Sequence, residues 1–253
     1  MRLFIIPFLL IFSSPLIALE LDGNTEFSRM LQLNSSVSGK IAKIHVSVGQ
    51  SVKKGDLLIE LVPTRFQSEL DIAQAGLDSL MPTLLQLKTE LEKAEELFDR
   101  DSLARVELQQ AQQSHDAAMA QTAVAEAKLE IARLNLAETR ILSPTNARVL
   151  SVDTHLQRYI NTTVADPTLL TLVDDRQMLV RVLLPAENWS SQLINRPARV
   201  SFLKNHYRGK VIGIGQQRIS GANNHPALAL IIRFEADGKV PANVLVRVNI
   251  EEN

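Results

Sequence analysis

The stretch SGKIAKIHVSVGQSVKKGDLLIEL, at residues 38–61, decides how the rest of the chain is interpreted. β-branched residues alternate with polar ones, and Gly39, Gly49 and Gly55 divide the stretch, which predicts short strands joined by tight turns. We interpret these glycines as turn residues, because no helix follows them directly to supply a phosphate-binding N-terminus. The apolar residues expected to form a small core are Ile41, Ile44, Val46, Val48, Val52, Leu58 and Leu61.

After Pro63 the composition changes from strand-like to helix-like. From Thr64 to Arg140 the chain has one glycine, Gly76, and is rich in Ala, Leu, Gln and Glu, which favours helix. Apolar residues follow a 3-4 spacing in two runs, which predicts two amphipathic helices. The first run is Leu77, Leu80, Leu84, Leu87, Leu91, Ala94 and Phe98; the second is Leu108, Ala111, His115, Ala118, Thr122, Ala125, Leu129, Ala132 and Leu136.

The segment DRDSLAR, at residues 99–105, separates the two runs. Its Asp and Ser residues are expected to cap the second helix, so that the two helices fold back as an antiparallel hairpin. Pro82 is expected to kink the first helix or break it locally. Each arm of about 35 residues should extend about 50 Å. Such a long pair of helices buries little apolar surface by itself, so we expect its flanks to contact other copies or partners.

Beyond the hairpin the sequence is again strand-like. Residues 141–174 have a β texture, with Pro144 after the end of the helical region, and residues 175–253 contain several alternating segments separated by Gly, Asn and Pro. This pattern predicts a small β-barrel or sandwich. The N-terminal segment, residues 19–36, is expected to join the barrel, with a further strand from residues 31–36.

The first 18 residues, MRLFIIPFLLIFSSPLIA, have the layout of a signal peptide. One basic residue precedes an apolar run, and a small residue, Ala18, offers a cleavage point. The apolar run is nearly long enough for a membrane helix, so an uncleaved anchor is the alternative. Either form predicts a protein outside the cytoplasm.

Composition narrows the function classes. Lys plus Arg number 27 and Asp plus Glu number 28, a balance that gives no bulk field for nucleic acid. The chain has no cysteine, which excludes disulfides and thiolate metal sites. Its five histidines are scattered without ligand spacing, and no nucleophile motif is present. The sequence therefore predicts no catalytic site, no metal, no cofactor and no nucleic-acid partner.

The order of these segments resembles the periplasmic adaptor subunits, or membrane fusion proteins, of the HlyD-like and RND-type efflux family, in a short form. Residues 37–62 and the stretch LAETRILSPTNARV continuing to TLLTLVD resemble the two halves of a biotinyl/lipoyl domain. The resemblance implies an elongated α+β fold: a lipoyl-like β domain of residues 37–62 and 141–174, interrupted by an antiparallel α-helical hairpin at 63–140, and a small β-barrel at 175–253. The hairpin occupies the place of the lysine-bearing turn.

The chain departs from the family at several positions. Ala147 stands where a glycine is usual, and QRYINTTVAD replaces the glycines expected around residues 157–166. At the hairpin tip, the Arg, Leu and Ser that often contact the outer-membrane channel align with Lys93, Leu97 and Ala104. Lys93 lacks the planar fork of Arg, and Ala104 lacks the hydroxyl. The expected channel contacts are Lys93, Leu97, Arg100, Ala104 and Arg105.

The resemblance implies a non-enzymatic periplasmic adaptor. It would link an inner-membrane transporter to an outer-membrane channel and self-associate, as a hexameric ring in the family pattern. A biotinyl or lipoyl carrier is one alternative, although Lys53 and Lys54 lie between two turn glycines and are better interpreted as a solvated turn. A periplasmic coiled-coil scaffold without a transporter is the other alternative.

Overall fold

The computed structural model describes residues 19–163, 168–185, 190–220, 226–238 and 240–250. The predicted signal peptide, residues 1–18, lies outside the described residues, as do residues 164–166 of the QRYINTTVAD stretch. The chain divides into two compact units. One unit is the segment Gln32–Leu172, and the other joins the chain before it to the chain after it.

Fourteen strands and two long helices are assigned within the described residues. The elements are β1 Leu19–Phe27, β2 Met30–Leu33, β3 Gly39–Ile44, β4 Ser51–Val52, β5 Leu57–Leu61, α1 Thr64–Asp99, α2 Arg105–Ala137, β6 Arg140–Leu142, β7 Ala147–Val152, β8 Tyr159–Ile160, β9 Leu170–Val173, β10 Gln177–Pro185, β11 Pro197–Phe202, β12 Asn205–Ser220, β13 Pro226–Glu235 and β14 Leu245–Ile250. A short 3₁₀ turn, Ser191–Leu193, lies between β10 and β11.

Strands from before and after the hairpin share both sheets of a small sandwich. One sheet has the order β2-β9-β7-β4 and the other β6-β5-β3-β8. Val52 of β4 pairs with Ala147 of β7, and Gly39 of β3 pairs with Ile160 of β8. The two predicted halves therefore interlock into one β domain, as the interrupted-domain interpretation requires.

The two halves form an internal repeat. β3 and β7 begin at Gly39 and Ala147, 108 residues apart, and β4 and β8 begin at Ser51 and Tyr159, again 108 residues apart. The turn between each pair of strands contains a residue with positive φ, which is Gly49 (85°) in the first half and Gln157 (70°) in the second. The same backbone turn therefore forms in the second half without glycine.

The predicted helical hairpin is confirmed. The members of both predicted apolar stripes are buried or half-buried, and those of α2 include Ala118, Thr122, Leu129 and Ala132 as buried residues. The 3-4 spacing thus defines the contact between the helices. α1 runs from Thr64 to Asp99 with Pro82 inside it, so Pro82 does not break the helix, and the alternative expectation of a kink stays a prediction. No helix in the described parts of the chain has the length and apolar character to span a membrane.

The six remaining strands close into a barrel in the order β1-β10-β13-β12-β11-β14. Its core consists of inward residues that alternate with exposed or half-buried ones, as in β10, where Met178, Val180, Val182 and Leu184 are fully buried. On the outer surface Arg181 donates two hydrogen bonds to Glu26, of 2.8 and 3.1 Å, and this pairing raises the pKa of Arg181.

The N-terminal segment is divided between the two units, contrary to expectation. β1 lies between β10 and β14 in the barrel, whereas β2 borders β9 in the sandwich. The backbone N–H of Leu169 donates to the carbonyl oxygen of Leu33 at 2.8 Å. The expectation that residues 31–36 extend the barrel is wrong, because β1 already closes it and leaves no free edge for another strand.

Candidate functional site

The tip of the hairpin is a turn in which α1 ends with an αL residue. Asp101 has φ of 56°, its N–H donates to the carbonyl oxygen of Phe98 at 2.9 Å, and the N–H of Ser102 donates to that of Leu97 at 2.8 Å. This is the hydrogen-bond pattern of a Schellman motif, in which an αL residue satisfies the last carbonyl groups of a helix. Aspartate occupies the position that glycine usually holds.

α2 begins at Arg105 with Ala104 as its N-cap residue. The expectation that an Asp or Ser of DRDSLAR caps α2 is wrong, since Ala104 offers no side-chain oxygen and the Ser102 hydroxyl donates to the carbonyl oxygen of Arg100 at 3.1 Å. The Glu107 carboxylate accepts from the Ala104 N–H at 3.3 Å. This hydrogen bond is one of the two that form a capping box, and it satisfies the N–H group of the N-cap residue.

All five residues predicted to contact a channel are exposed at the tip. Lys93, Leu97 and Arg100 have the i, i+4, i+7 spacing that places side chains on one face of a helix. Arg100 also forms an ion pair with Glu96. Ala104 and Arg105 lie at the start of the second helix, so the structure brings the predicted residues to one end of the hairpin.

Val106 is a tip residue that the sequence analysis missed. Val106 is 73% exposed, and Leu97 is 43% exposed. The available signal was that Val106 lies outside the buried stripe that begins at Leu108, so nothing within the hairpin requires an apolar residue there. The tip therefore combines two exposed apolar side chains with exposed side chains of both charges, the acidic ones including Glu95, Asp99 and Asp101, which suits binding to another protein rather than bond chemistry.

The three glycines of the opening stretch serve different purposes. Gly49 and Gly55 have φ of 85° and 90°, and a Cβ atom at either position would meet no atom within 4 Å. Backbone conformation alone thus favours glycine at these two turns. Gly39 instead starts β3, and a Cβ there would lie 3.2 Å from Leu61 Cδ1. Gly39 is therefore a packing residue rather than the turn residue that we expected.

The base of the hairpin joins β5 to β6. α1 starts three residues after β5 ends, and β6 starts three residues after α2 ends. The Leu61 N–H donates to the Thr139 carbonyl oxygen at 2.8 Å, which holds the two ends of the hairpin together. Lys53 and Lys54 lie in the turn between β4 and β5, where their N–H groups donate to Asp56 and Asn146 at 2.7 and 2.9 Å.

Among the described residues, no cluster of three or more His, Asp or Glu side chains has the arrangement of a metal site. The two helices of the hairpin contact each other through narrow apolar stripes, which leaves their flanks and the charged tip exposed. This arrangement suits an interaction surface.

Several curated proteins are similar in sequence to this chain. The macrolide export protein MacA of Yersinia pestis is 29% identical over 174 residues, which cover 63% of this chain and 47% of MacA. The multidrug resistance protein MdtA of Klebsiella pneumoniae is 34% identical over 128 residues, 50% of this chain and 31% of MdtA. The efflux pump subunit AcrA of Escherichia coli is 28% identical over 133 residues, 53% of this chain and 34% of AcrA. The matched region spans less than half of each relative.

Solved structures share the fold at low sequence identity. A MacA chimera that carries the α-hairpin domain of Pseudomonas aeruginosa MexA matches with a TM-score of 0.69 and 22% identity, covering 94% of this chain and 83% of the chimera. The membrane fusion protein Spr0693 of Streptococcus pneumoniae matches with a TM-score of 0.72 and 18% identity, covering 93% and 99% of the two chains.

The family comparison agrees with the interlocked halves and the inserted hairpin. The family model of the barrel-sandwich hybrid domain of RND membrane fusion proteins matches residues 29–172, which is more than half of the chain and contains both halves of the sandwich. The chain therefore belongs to the RND membrane fusion protein family.

Proposed function

We propose that this protein is the periplasmic adaptor of a tripartite efflux or secretion system. It joins an inner-membrane transporter to an outer-membrane channel, self-associates into a ring, hexameric in the family pattern, and acts by assembly and sealing rather than by catalysis. The observation that carries the proposal is the α-hairpin inserted between two interlocked sandwich halves, with an exposed tip at its far end.

The construction of the hairpin supports a role in reaching a distant partner. α1 has 36 residues and α2 has 33, so the pair extends about 50 Å from the sandwich. Both helices are anchored at one end only, where Phe66 is buried and Leu61 pairs with Thr139. An exposed arm of this length suits contact with a partner at a distance.

The tip supports a protein contact at the end of this arm. Leu97 and Val106 supply exposed apolar area, and Lys93, Arg100 and Arg105 supply positive charge among exposed carboxylates such as Asp99 and Asp101. We assign these residues, with Ala104, to the contact with the outer-membrane channel. We assign the barrel to the contact with the transporter. The predicted signal peptide would direct the protein to the periplasm.

Removal of the hairpin tests the proposal. Residues 64–137 are deleted, and the two ends are joined by a short Gly-Ser turn. A short turn can span this gap, because the backbone groups of Leu61 and Thr139 are already hydrogen-bonded at 2.8 Å. We expect the shortened protein to fold and to reach the periplasm, but to lose all efflux or secretion activity in cells that depend on this adaptor. The measurement is the resistance of those cells to a panel of exported compounds.

A tip variant with the full hairpin separates reach from contact. Leu97→Asp with Val106→Asp places charge on the two exposed apolar side chains without touching the buried stripes. We expect co-purification of an outer-membrane channel to fall, while co-purification of an inner-membrane transporter is unchanged. Efflux that survives the hairpin deletion would overturn the proposal, and a biotinyl or lipoyl mass on any lysine of the intact protein would favour a carrier instead.

A further inference from the structure

The outer surface of β11, β12 and β13 carries four cations that face one another in pairs. The strand register places Arg199 directly opposite Arg208, and Lys210 directly opposite Arg233. All four side chains are exposed, and together we call them the basic face. Like charges directly opposite each other on neighbouring strands destabilise a sheet. The stability of the barrel therefore gives no reason for this arrangement.

The opposite side of the barrel pairs its charges in the usual way. β1 lies three strands from β12 in either direction around the barrel, and it carries Glu20 and Glu26. Arg247 forms an ion pair with Glu20 at 2.9 Å, and Arg181 forms one with Glu26 at 2.8 Å. Three cations of the basic face form no ion pair within the described residues: Arg208, Lys210 and Arg233. Their charges are available to an anionic partner.

The arrangement of charged and apolar side chains decides which class of anionic partner fits. A protein interface places apolar and aromatic side chains at its centre and charged ones at its rim. The basic face lacks such a centre, since its outer neighbours on β11 and β12 are Pro197, Ser201 and His206. Glu235, two residues after Arg233, is an exposed carboxylate at its border and leaves the face positive. A centre made of cations suits a surface of phosphate headgroups.

Two exposed isoleucines lie at one edge of the basic face. Ile212 follows Lys210 on the outer side of β12. Ile194 lies in the segment that leads into β11, where the N–H of Asn195 donates to the carbonyl oxygen of Val211 at 2.9 Å. Ile194 and Ile212 are 41% and 37% exposed. Apolar side chains beside a group of cations are typical of proteins that lie on a bilayer, because the apolar groups enter the interface while the cations meet the headgroups.

The N-terminal end of β1 lies in the row of paired residues that crosses this face. Leu19 pairs with Ile250, Ile250 pairs with Ala198, and Ala198 pairs with Gly209. Ala198 precedes Arg199, and Gly209 lies between Arg208 and Lys210. Residues 1–18, the predicted signal peptide or anchor, come directly before Leu19. The chain therefore enters the barrel from its predicted membrane-targeting segment at the level of the basic face.

We propose that the basic face binds the anionic phospholipid surface of a membrane, with headgroup phosphates on its four cations and with Ile194 and Ile212 in the interface. In a periplasmic protein, this surface is the periplasmic leaflet of the inner membrane. Each Arg or Lys close to an anionic surface strengthens binding about fivefold, so a few cations give a reversible contact. The inference goes beyond the proposed function, which assigns no surface to lipid.

Co-sedimentation with vesicles tests the contact directly. Residues 19–253 are used, because the apolar run in residues 1–18 would bind vesicles by itself. We expect the protein to sediment with vesicles that contain phosphatidylglycerol and to stay in solution with vesicles of phosphatidylcholine alone. Binding should be lost in about 1 M salt, at which the Debye length is about 3 Å. Equal binding to both kinds of vesicle, or to neither, would overturn the inference.

Charge reversal locates the contact on the protein. Arg208→Glu with Lys210→Glu should weaken binding to phosphatidylglycerol vesicles by at least about 25-fold, which is about fivefold for each cation removed. The matched control, Lys88→Glu with Lys128→Glu, makes the same change in net charge at two exposed positions on the hairpin. It should change binding little. An equal loss in the two double variants would show that net charge, and not the basic face, controls binding.

A fluorescent label reports which end of the barrel surface meets the lipid. The chain has no cysteine, so Ile212→Cys can be labelled with a fluorophore that is sensitive to polarity. Leu245→Cys is the control, because Leu245 is 67% exposed and pairs with Asn24, five residues along β1 from Leu19. We expect a blue shift on phosphatidylglycerol vesicles at position 212 and none at position 245. No shift at position 212, or equal shifts at both positions, would contradict the orientation and the inference.

An acidic protein is the partner that would replace lipid if these tests fail. The inference is wrong if the protein ignores phosphatidylglycerol vesicles while Arg208→Glu with Lys210→Glu lowers co-purification of an inner-membrane transporter. That result would assign the basic face to a protein contact and leave the adaptor proposal intact. The adaptor proposal fails instead when cells lacking residues 64–137 keep their efflux activity, whatever the vesicles show.

Discussion

Gln157 adopts a backbone conformation with positive φ, which glycine adopts more readily than other residues. It occupies the turn of the second half that corresponds to Gly49 in the first, and both residues have positive φ, of 70° and 85°. The Gln157 side chain is exposed. Its N–H donates to the carbonyl oxygen of Ile41 at 3.1 Å, so a contact between the two halves holds the turn in this conformation.

We expect Gln157→Gly to stabilise the protein. An L-residue in the αL region costs about 1–2 kcal/mol, and the greater freedom of glycine in the unfolded chain returns about 0.5–1 kcal/mol of that gain. The net increase in the free energy of unfolding should be about 0.5–1 kcal/mol, measured by urea denaturation of the sandwich.

The reverse exchange is the control for this prediction. Gly49→Gln meets no steric obstacle, because a Cβ atom there has nothing within 4 Å, so its cost comes from the backbone alone. It should lower the free energy of unfolding by about 0.5–1 kcal/mol, because the αL cost is partly offset by the smaller conformational freedom of Gln in the unfolded chain. Effects of the same sign, or of very different size, would contradict a conformational origin.

At the scale of elements, the hairpin shows which parts of the fold are readable from sequence. Both stripes were predicted residue by residue, because a two-helix contact repeats every three or four residues and a break in the pattern would expose an apolar side chain. The N-cap residue of α2 was not predicted, because the Ser and Asp residues near Ala104 are all of the types that favour the N-cap position. The hydrogen bonds that select Ala104 depend on the turn at Asp101, which sequence spacing does not determine.

The start of α2 is open to stabilisation by one hydroxyl. Ala104→Ser places an acceptor at the N-cap, where the N–H groups of the first turn lack a side-chain partner from this position, and N-cap serine is worth about 1 kcal/mol over alanine. We expect slower hydrogen exchange of the Glu107 and Leu108 amides at the tip, measured by NMR.

Val106→Ser is the matched variant for the cap. It introduces the same side chain two residues later, inside the exposed first turn of α2, where serine does not act as a cap and has a helix propensity similar to that of valine. Exchange at Glu107 and Leu108 should not slow in this variant. Similar slowing in both variants would show that the effect is not capping.

At the scale of the whole molecule, the chain builds two units with separate cores. The barrel core contains residues from β10 to β14 together with Leu21 and Phe27 of β1, and the sandwich core is formed by the interlocked halves. The order of sandwich half, hairpin, sandwich half and barrel was predictable, because turn glycines mark the first strands and the helical composition marks the hairpin. The place of β2 was not, since four residues with an alternating pattern fit the edge of either β structure, and only the closure of the barrel by β1 excludes one of them.

A glycine in β1 allows the two units to be separated by mutation. A Cβ atom at Gly23 would lie 2.5 Å from Val180 Cγ1 and 2.7 Å from Val182 Cγ2, inside the packed barrel core. We expect Gly23→Ala to destabilise the barrel by about 1–3 kcal/mol through overpacking. Hydrogen exchange followed by mass spectrometry should show faster exchange in the barrel strands and unchanged exchange in β3, β5 and β7.

Gly213 in β12 provides the control for the barrel prediction. A Cβ atom at this position would meet nothing within 4 Å, so Gly213→Ala adds the same methyl group without a clash. Its effect on barrel exchange should be small. Faster exchange in the sandwich after Gly23→Ala would contradict the division into two separately packed units.

The hydrogen bond between Leu61 and Thr139 has a consequence for the order in which the chain folds. These residues are separated by the entire hairpin, and closing an unstructured loop of that length costs roughly 4 kcal/mol in chain entropy. Helices form from local contacts in about a microsecond, far ahead of pairings between distant strands. When α1 and α2 pack together first, they bring β5 and β6 close to each other, because only a few residues separate each strand from its helix. The arm that extends away from the sandwich is thus also the element that makes its assembly fast, and substitutions in the buried stripes should slow folding of strands that they never touch.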